Sequence, residues 1–149
     1  MDSLEWHNRF INLSKEIATW SKDPSTKIGA VVVGPDQEIR STGYNGFPRM
    51  VVSTPERWER SAKYNFIAHA EANAIYNAAR IGVPLKDCTI YISSLLPCHN
   101  CAQAIIQAGI ACVVVFNTEY PDRWAESIQT GLQMFEEAGV EVISLINLD

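Results

Sequence analysis

The sequence predicts an α/β protein, a three-layer α/β/α sandwich around a mixed five-stranded sheet. Three observations predict it. Residues 28–33 and 38–44 are β-type runs separated by Gly34-Pro35-Asp36, the pattern of a hairpin. Downstream, short β-branched runs alternate with helix-length segments, which calls for mostly parallel strands joined by helical crossovers. Ahead of the hairpin lies an amphipathic stretch whose apolar face must dock on something.

In that stretch Trp6, Phe10, Leu13, Ile17 and Trp20 recur at alternating spacings of four and three, one stripe of a helix over residues 3–21. Asp23-Pro24-Ser25 ends it, because a proline disfavours helical geometry in the residue before it. The hairpin follows, rich in β-branched residues. Residues 45–68 are irregular, with Asn45-Gly46 and Phe47-Pro48 as turn signals and a short helix over 56–64. Long loops in compact domains are often functional. The Ala-rich run 70–80 reads as a helix ending at Gly82. Then come a buried strand (89–93), a core helix (98–108, closed by Gly109) and a strand (113–116). An amphipathic helix (124–138, closed by Gly139) and a last strand (140–146) complete the order. Repeats, low-complexity tracts and linkers are absent, and 149 residues with 47% apolar content suit one domain, 1–149, with one continuous core.

Composition excludes several classes. The longest apolar run, Ile110 to Phe116, is too short to cross a bilayer, and the first residues, Met1 to Trp6, have neither a basic nor an apolar signal region. A cytoplasmic protein is expected. A net charge of −5 and a pI of about 5.2 oppose a nucleic-acid partner, which is held through a basic surface, whereas a small anionic substrate needs only a local cationic pocket. Four cysteines in such a chain suit metal or redox chemistry better than structural disulfides. Cys88 and Cys112 lie in β-type apolar stretches and read as small buried hydrophobes.

The informative residues are His69-Ala70-Glu71 and Pro97-Cys98-His99-Asn100-Cys101. They supply one imidazole, two thiolates and a carboxylate left over as acid/base, the inventory of a catalytic zinc site with an open fourth position. Both motifs fall at predicted helix starts, where unpaired N–H groups and the helix dipole favour thiolates, and the spacing of three puts Cys98 and Cys101 on one face. Zinc with two thiolates and a neutral His69 is formally neutral and keeps a water, whose pKa falls from 15.7 toward about 7. Glu71, on the same first turn as His69, is close enough to reach that water and badly placed to be a ligand as well. Two other readings use the same residues. A thioredoxin-like dithiol accounts for Cys98-x-x-Cys101 but gives His69-x-Glu71 no role. A structural zinc module needs a fourth ligand, for which His99 is the nearest spare, although it would point away from the metal.

His69-Ala70-Glu71 followed by Pro97-Cys98-x-x-Cys101 resembles the signature of the zinc-dependent cytidine and deoxycytidylate deaminase superfamily. The runs Asp23 to Val31, Ser41 to Pro48 and Ala104 to Ile110 look like its deoxycytidylate (dCMP) deaminase branch, and the likeness spans roughly residues 20–116. The resemblance implies hydrolytic deamination of a free cytosine deoxynucleotide, dCMP above dCTP, cytidine or a 5-substituted nucleotide. A polynucleotide deaminase is the alternative that the acidic composition opposes. It further implies His69, Cys98 and Cys101 as metal ligands, Glu71 as proton shuttle, and Asn45 at the substrate sugar. The Ala70 N–H would donate to the pyrimidine O2, the Leu96 carbonyl would accept from the exocyclic amine, and Tyr120 would be an aromatic near the nucleotide. Leu96 departs from the small polar residue common in the family, a change that a backbone role tolerates. With no Cys before Cys88 and only His7 before His69, one Zn2+ per subunit is expected. Lys27, Arg49, Arg57, Arg60 and Lys63 are candidates for the phosphate. A homo-oligomer, often a hexamer, with dCTP as activator and dTTP as inhibitor, is also implied.

Overall fold

The computed structural model describes residues 3–147, and its five strands form one sheet of order β2-β1-β3-β4-β5. The hairpin strands β1 (Gly29–Val33) and β2 (Ile39–Tyr44) are antiparallel, with Val31 opposite Thr42. β1 also pairs antiparallel with β3 (Thr89–Ile92), Ala30 facing Ile92. From there β3, β4 (Cys112–Val115) and β5 (Glu141–Ser144) run parallel. The mixed sheet is the one expected.

All five residues of β1 are buried, so both faces of the sheet need cover. One face, carrying Ala30, Val32, Ile90, Ile92, Val113 and Val115, packs on three helices: α3 (Ala70–Ile81), α4 (His99–Gln107) and α5 (Ala125–Ala138). The steps β3 to β4 to β5 go one way across the sheet, and right-handed crossovers then place α4 and α5 on the same side. The opposite face, with Val31, Val33, Tyr91 and Val114, receives Phe10, Ile11 and Ile17 of α1 (Ser3–Ala18). The short α2 (Arg60–Phe66) has no buried residue and lies outside both clusters.

The structure corrects the sequence reading in three places. α1 ends at Ala18, and Thr19, Trp20 and Ser21 continue as tight turns onto Glu16, Ile17 and Ala18. Trp20 therefore leaves the apolar stripe: it is exposed and stands edge-on to Tyr44. Past the turn the Ser21 hydroxyl donates to the Asn45 carbonyl at 2.8 Å. The helix expected over 56–64 is broken at Glu59, whose extended backbone (ψ 143°) separates a 3-10 turn, Glu56–Trp58, from α2. The last strand stops at Ser144 and passes into the 3-10 turn Leu145–Asn147. Among the described residues no helix is long and apolar enough to cross a membrane.

α3 begins at the His69-Ala70-Glu71 motif, so its seat on the sheet decides where those residues lie. It rests on β2 at Gly43, where a Cβ would come within 2.3 Å of the Ala74 nitrogen and 2.5 Å of the Ala70 carbonyl oxygen. Side-chain bonds from Ser41 to the Ala74 carbonyl (2.6 Å) and from Asn77 to the Thr42 carbonyl (2.8 Å) hold the two together. Because backbone rather than a flexible side chain meets the added carbon, Gly43→Ala should push α3 off β2. The expected loss of unfolding free energy is about 1–3 kcal/mol or more, read by denaturant titration. Parental stability in that variant would contradict the close approach.

Candidate active site

The site forms where several strand ends meet. The start of β1, the end of β2, and the segments leaving β3 and β4 share one edge of the sheet, the carboxyl end of its parallel half. Ligand clefts in α/β sheets form at that end. The ends are stapled to one another. Ser93 Oγ accepts from the Gly29 N–H at 2.9 Å, the Asn45 N–H donates to the Ile28 carbonyl at 3.2 Å, and Gly46 and Ala68 exchange both backbone bonds. A cavity opens there, and the first turns of α3 and α4 stand at its floor.

His69 is the N-cap of α3 and Cys98 the N-cap of α4, its sulfur accepting from the Cys101 N–H at 3.4 Å. Among the described residues, His69, Cys98 and Cys101 form the one group of three or more possible metal donors, their ligand atoms all within 4.8 Å of one another. His69 Nδ1 lies 3.5 Å from the Cys98 sulfur and 3.3 Å from that of Cys101. A tetrahedral zinc with Zn–N of about 2.0 Å and Zn–S of about 2.3 Å needs N···S separations of roughly 3.5 Å. The donor set therefore fits that ion in chemistry and in spacing.

The charges agree. A hydrogen bond from Cys101, helped by His69, pulls the Cys98 thiol down to about 4. The same bond and burial push Cys101 up. Hydrogen bonding to Cys98 raises His69 above its ordinary value, against the opposing effect of burial. A divalent cation replaces the protons on these groups, so its binding weakens as the pH falls.

Glu71, in the first turn of α3, is buried and lies outside the donor cluster. Burial pushes its carboxyl up, and the nearby positive charge of His69 opposes this only in part. Such a carboxyl exchanges protons more readily near neutral pH than an exposed one. Ala70 occupies the first position of α3, where a backbone N–H has no acceptor in its own helix, and it lines the cavity. Leu96 is buried and also lines it.

Asn45 is buried at the cavity wall. Its Oδ1 accepts from the Ile28 N–H at 2.8 Å, and its amide donates to the Thr26 carbonyl at 2.8 Å and to Asp23 at 3.3 Å. Of the cationic candidates, Arg60 and Lys63 line the cavity and Lys27, Arg49 and Arg57 do not. Arg49 bonds Asn77 beside a second cavity, and Arg57 reaches the Val52 carbonyl and stacks over Phe66. Tyr120 is likewise outside: it packs on the main core and its hydroxyl accepts from Gln129. The aromatics at the cavity are Tyr64 and Trp124, edge to face at 6.2 Å. Sequence reasoning missed Arg123, Trp124 and Asp23, all three lining residues. Asp23 carried a signal, since an acid before Pro-Ser-Thr favours a turn closed by its own side chain. It accepts from the Ser25 and Thr26 N–H groups and pairs with Lys63 at 2.8 Å.

Comparison with known proteins bears on this site. The family described as "Cytidine and deoxycytidylate deaminase zinc-binding region" matches residues 4–117. An uncharacterized deaminase from the luxG 3' region of Aliivibrio fischeri is 41% identical over 93% of the chain and 92% of its own length. The deoxycytidylate deaminase of Mus musculus is 37% identical over 93% of the chain and 79% of its own. Among solved structures, the dCMP deaminase of cyanophage S-TIM5, in complex with dCMP and dUMP, superposes with a TM-score of 0.78. It is 26% identical and covers 94% of this chain and 96% of that one.

The Asp23 cluster has a pH signature. Burial opposes ionisation of Asp23, but Lys63 and the Ser25 and Thr26 donors outweigh it and hold the carboxyl below its ordinary value. The unfolded chain thus takes up this proton at higher pH than the folded one. The stability that Asp23 contributes is complete above the ordinary carboxylate range and is lost as pH falls through the lowered folded value. Asp23→Asn should be less stable than the parent at about pH 7, with a gap that narrows toward about pH 3 in denaturant titrations. A gap that stays constant over that range would contradict the ion pair's contribution.

Proposed function

The chain belongs to the cytidine and deoxycytidylate deaminase family, and within it we propose that the protein is a dCMP deaminase, converting dCMP and water to dUMP and ammonia. One observation carries this reading. His69, Cys98 and the free carboxyl of Glu71 line the same cavity as three cations, Arg60, Lys63 and Arg123. A hydrolytic centre therefore faces a pocket suited to a small phosphate ester. The relatives named as deoxycytidylate deaminases add support.

When bound, zinc supplies a Lewis acid that brings the pKa of water from 15.7 toward about 7. The chain's own residues do the rest. His69, Cys98 and Cys101 would hold the ion. Glu71 would take a proton from the water as its oxygen bonds C4 and pass it to the ring N3, then carry the remaining hydroxyl proton to the amine, which leaves as ammonia when the C4–N bond breaks, a role its burial-raised carboxyl suits. The Ala70 N–H donates to the pyrimidine O2 and the Leu96 carbonyl accepts from the exocyclic amine. Ile28, Ile67, Leu95 and Ile128 form apolar walls that exclude water from the base. Asn45 has both amide hydrogens engaged and one Oδ1 lone pair taken by the Ile28 N–H, so its second Oδ1 lone pair is what it would offer a sugar hydroxyl. Arg60 and Arg123, with Lys63 shared between Asp23 and the cavity, balance the phosphate.

A cytoplasmic location suits four free thiols. A homo-oligomer controlled by dCTP and dTTP belongs to the same proposal, tested by sedimentation with and without those nucleotides.

Purified protein offered dCMP, dCTP, deoxycytidine and cytidine should release ammonia fastest from dCMP and more slowly from the two nucleosides, which lack a phosphate. Equal turnover of the nucleosides would contradict the cationic pocket. Glu71→Gln should keep its zinc while losing on the order of 10²–10⁴ in rate, measured by ammonia release alongside metal analysis. Near-parental turnover would sink the proton-shuttle role. Cys98→Ser should instead lose the metal and melt earlier, since binding is coupled to folding.

A further inference from the structure

One face of α5 serves both halves of the site. Trp124, which precedes its first turn, and Ile128 line the cavity. Ser127 and Gly131, neighbours of these on the helix surface by three- and four-residue spacing, lie against the turn that carries Cys98. The Ser127 hydroxyl accepts from the His99 backbone N–H at 2.9 Å and stands 2.8 Å from His99 Nδ1, to which it donates when the ring proton is on Nε2. That N–H is the first of α4, one of the groups a helix start leaves without an internal partner. At Gly131 a Cβ would lie 3.2 Å from the Ala102 Cβ, 3.4 Å from the Pro97 carbonyl oxygen and 3.6 Å from that of Cys98. α5 thus closes on the ligand-bearing turn about as tightly as the absence of a side chain permits.

We propose that Ser127 is a positioning residue for the metal centre: by holding the first turn of α4 through the His99 N–H and ring, it fixes the direction of the Cys98 sulfur and slows zinc release. The physical reason is that a ligand on a fixed turn returns to the ion after each partial detachment, whereas a ligand on a frayed turn does not. Partners that orient metal ligands from outside typically change affinity or activity by about 10–100-fold when removed. The same bond keeps the His99 ring turned to α5, away from the three donors, so the set stays open on its fourth side.

The proposal rests on the zinc reading above and is tested by a readout other than turnover. Protein loaded with one zinc per chain is mixed with the chelator 4-(2-pyridylazo)resorcinol and metal transfer is followed by absorbance. Ser127→Ala should transfer zinc about ten-fold or more faster than the parent. Ser127→Thr, which keeps the hydroxyl, should stay near the parental rate, and His99→Ala, which keeps the backbone N–H, should fall between. Melting of the metal-free proteins is measured in parallel. Parental transfer in Ser127→Ala would overturn the proposal, whether or not its metal-free form melts earlier, as would failure of Ser127→Thr to restore the rate. A parental protein that holds no zinc would overturn the zinc reading itself.

Discussion

The first turns of α3 and α4 have to end within bonding distance of a single ion, and the rest of the molecule is arranged around that constraint. Three donors within 4.8 Å come from two helices separated by a strand and its connections. Neither helix holds that position alone. α3 is seated by the bare backbone at Gly43 and α4 by the crossover out of β3, with α5 closing on it at Gly131. Helix starts are also where the chemistry is least costly. Unpaired N–H groups and the dipole favour thiolate, and the Cys101 N–H already points at the Cys98 sulfur.

The same architecture divides the labour among carboxyls. Glu71 and Asp23 are both buried at the cavity, yet their environments push them in opposite directions. At Glu71 burial outweighs the positive charge of His69, the residue's own N–H and the Cys101 thiol, so the carboxyl is raised. Asp23 has an ammonium and several donors around it, so it stays ionised despite its burial. One becomes a group that can exchange a proton, the other a structural anchor that ties Lys63, Asn45 and the turn after Asp23 into one wall. Two acids of similar intrinsic strength acquire separate roles through surroundings alone.

Most of the layout was legible because its signals are local. The hairpin, the helix-closing glycines and the apolar periodicities each act over a few residues, and they predicted the sheet and its helices. Boundaries were less legible where a distant contact decided them. α1 stops at Ala18, three residues before Ser21 bonds the distant Asn45 carbonyl, and the 56–64 helix breaks at Glu59. Trp20 fitted the helical stripe by spacing but lies past the helix end, against Tyr44. Among site residues, Arg49, Arg57 and Lys27 were as cationic as Arg60 and Lys63, and no local pattern separated them.

His69, Glu71, Cys98 and Cys101 were singled out by sequence alone as one inventory of imidazole, thiolates and carboxylate, because spacings of two and three at helix starts dictate which side chains share a turn. The other end of the cavity was decided by tertiary structure. Arg123 and Trp124 come from beyond β4, Arg60 and Lys63 from a short helix in the long loop, and Asp23 from the turn after α1. These segments meet only because the sheet gathers its strand ends at one edge, and which side chain faces inward there depends on packing between residues far apart in the chain.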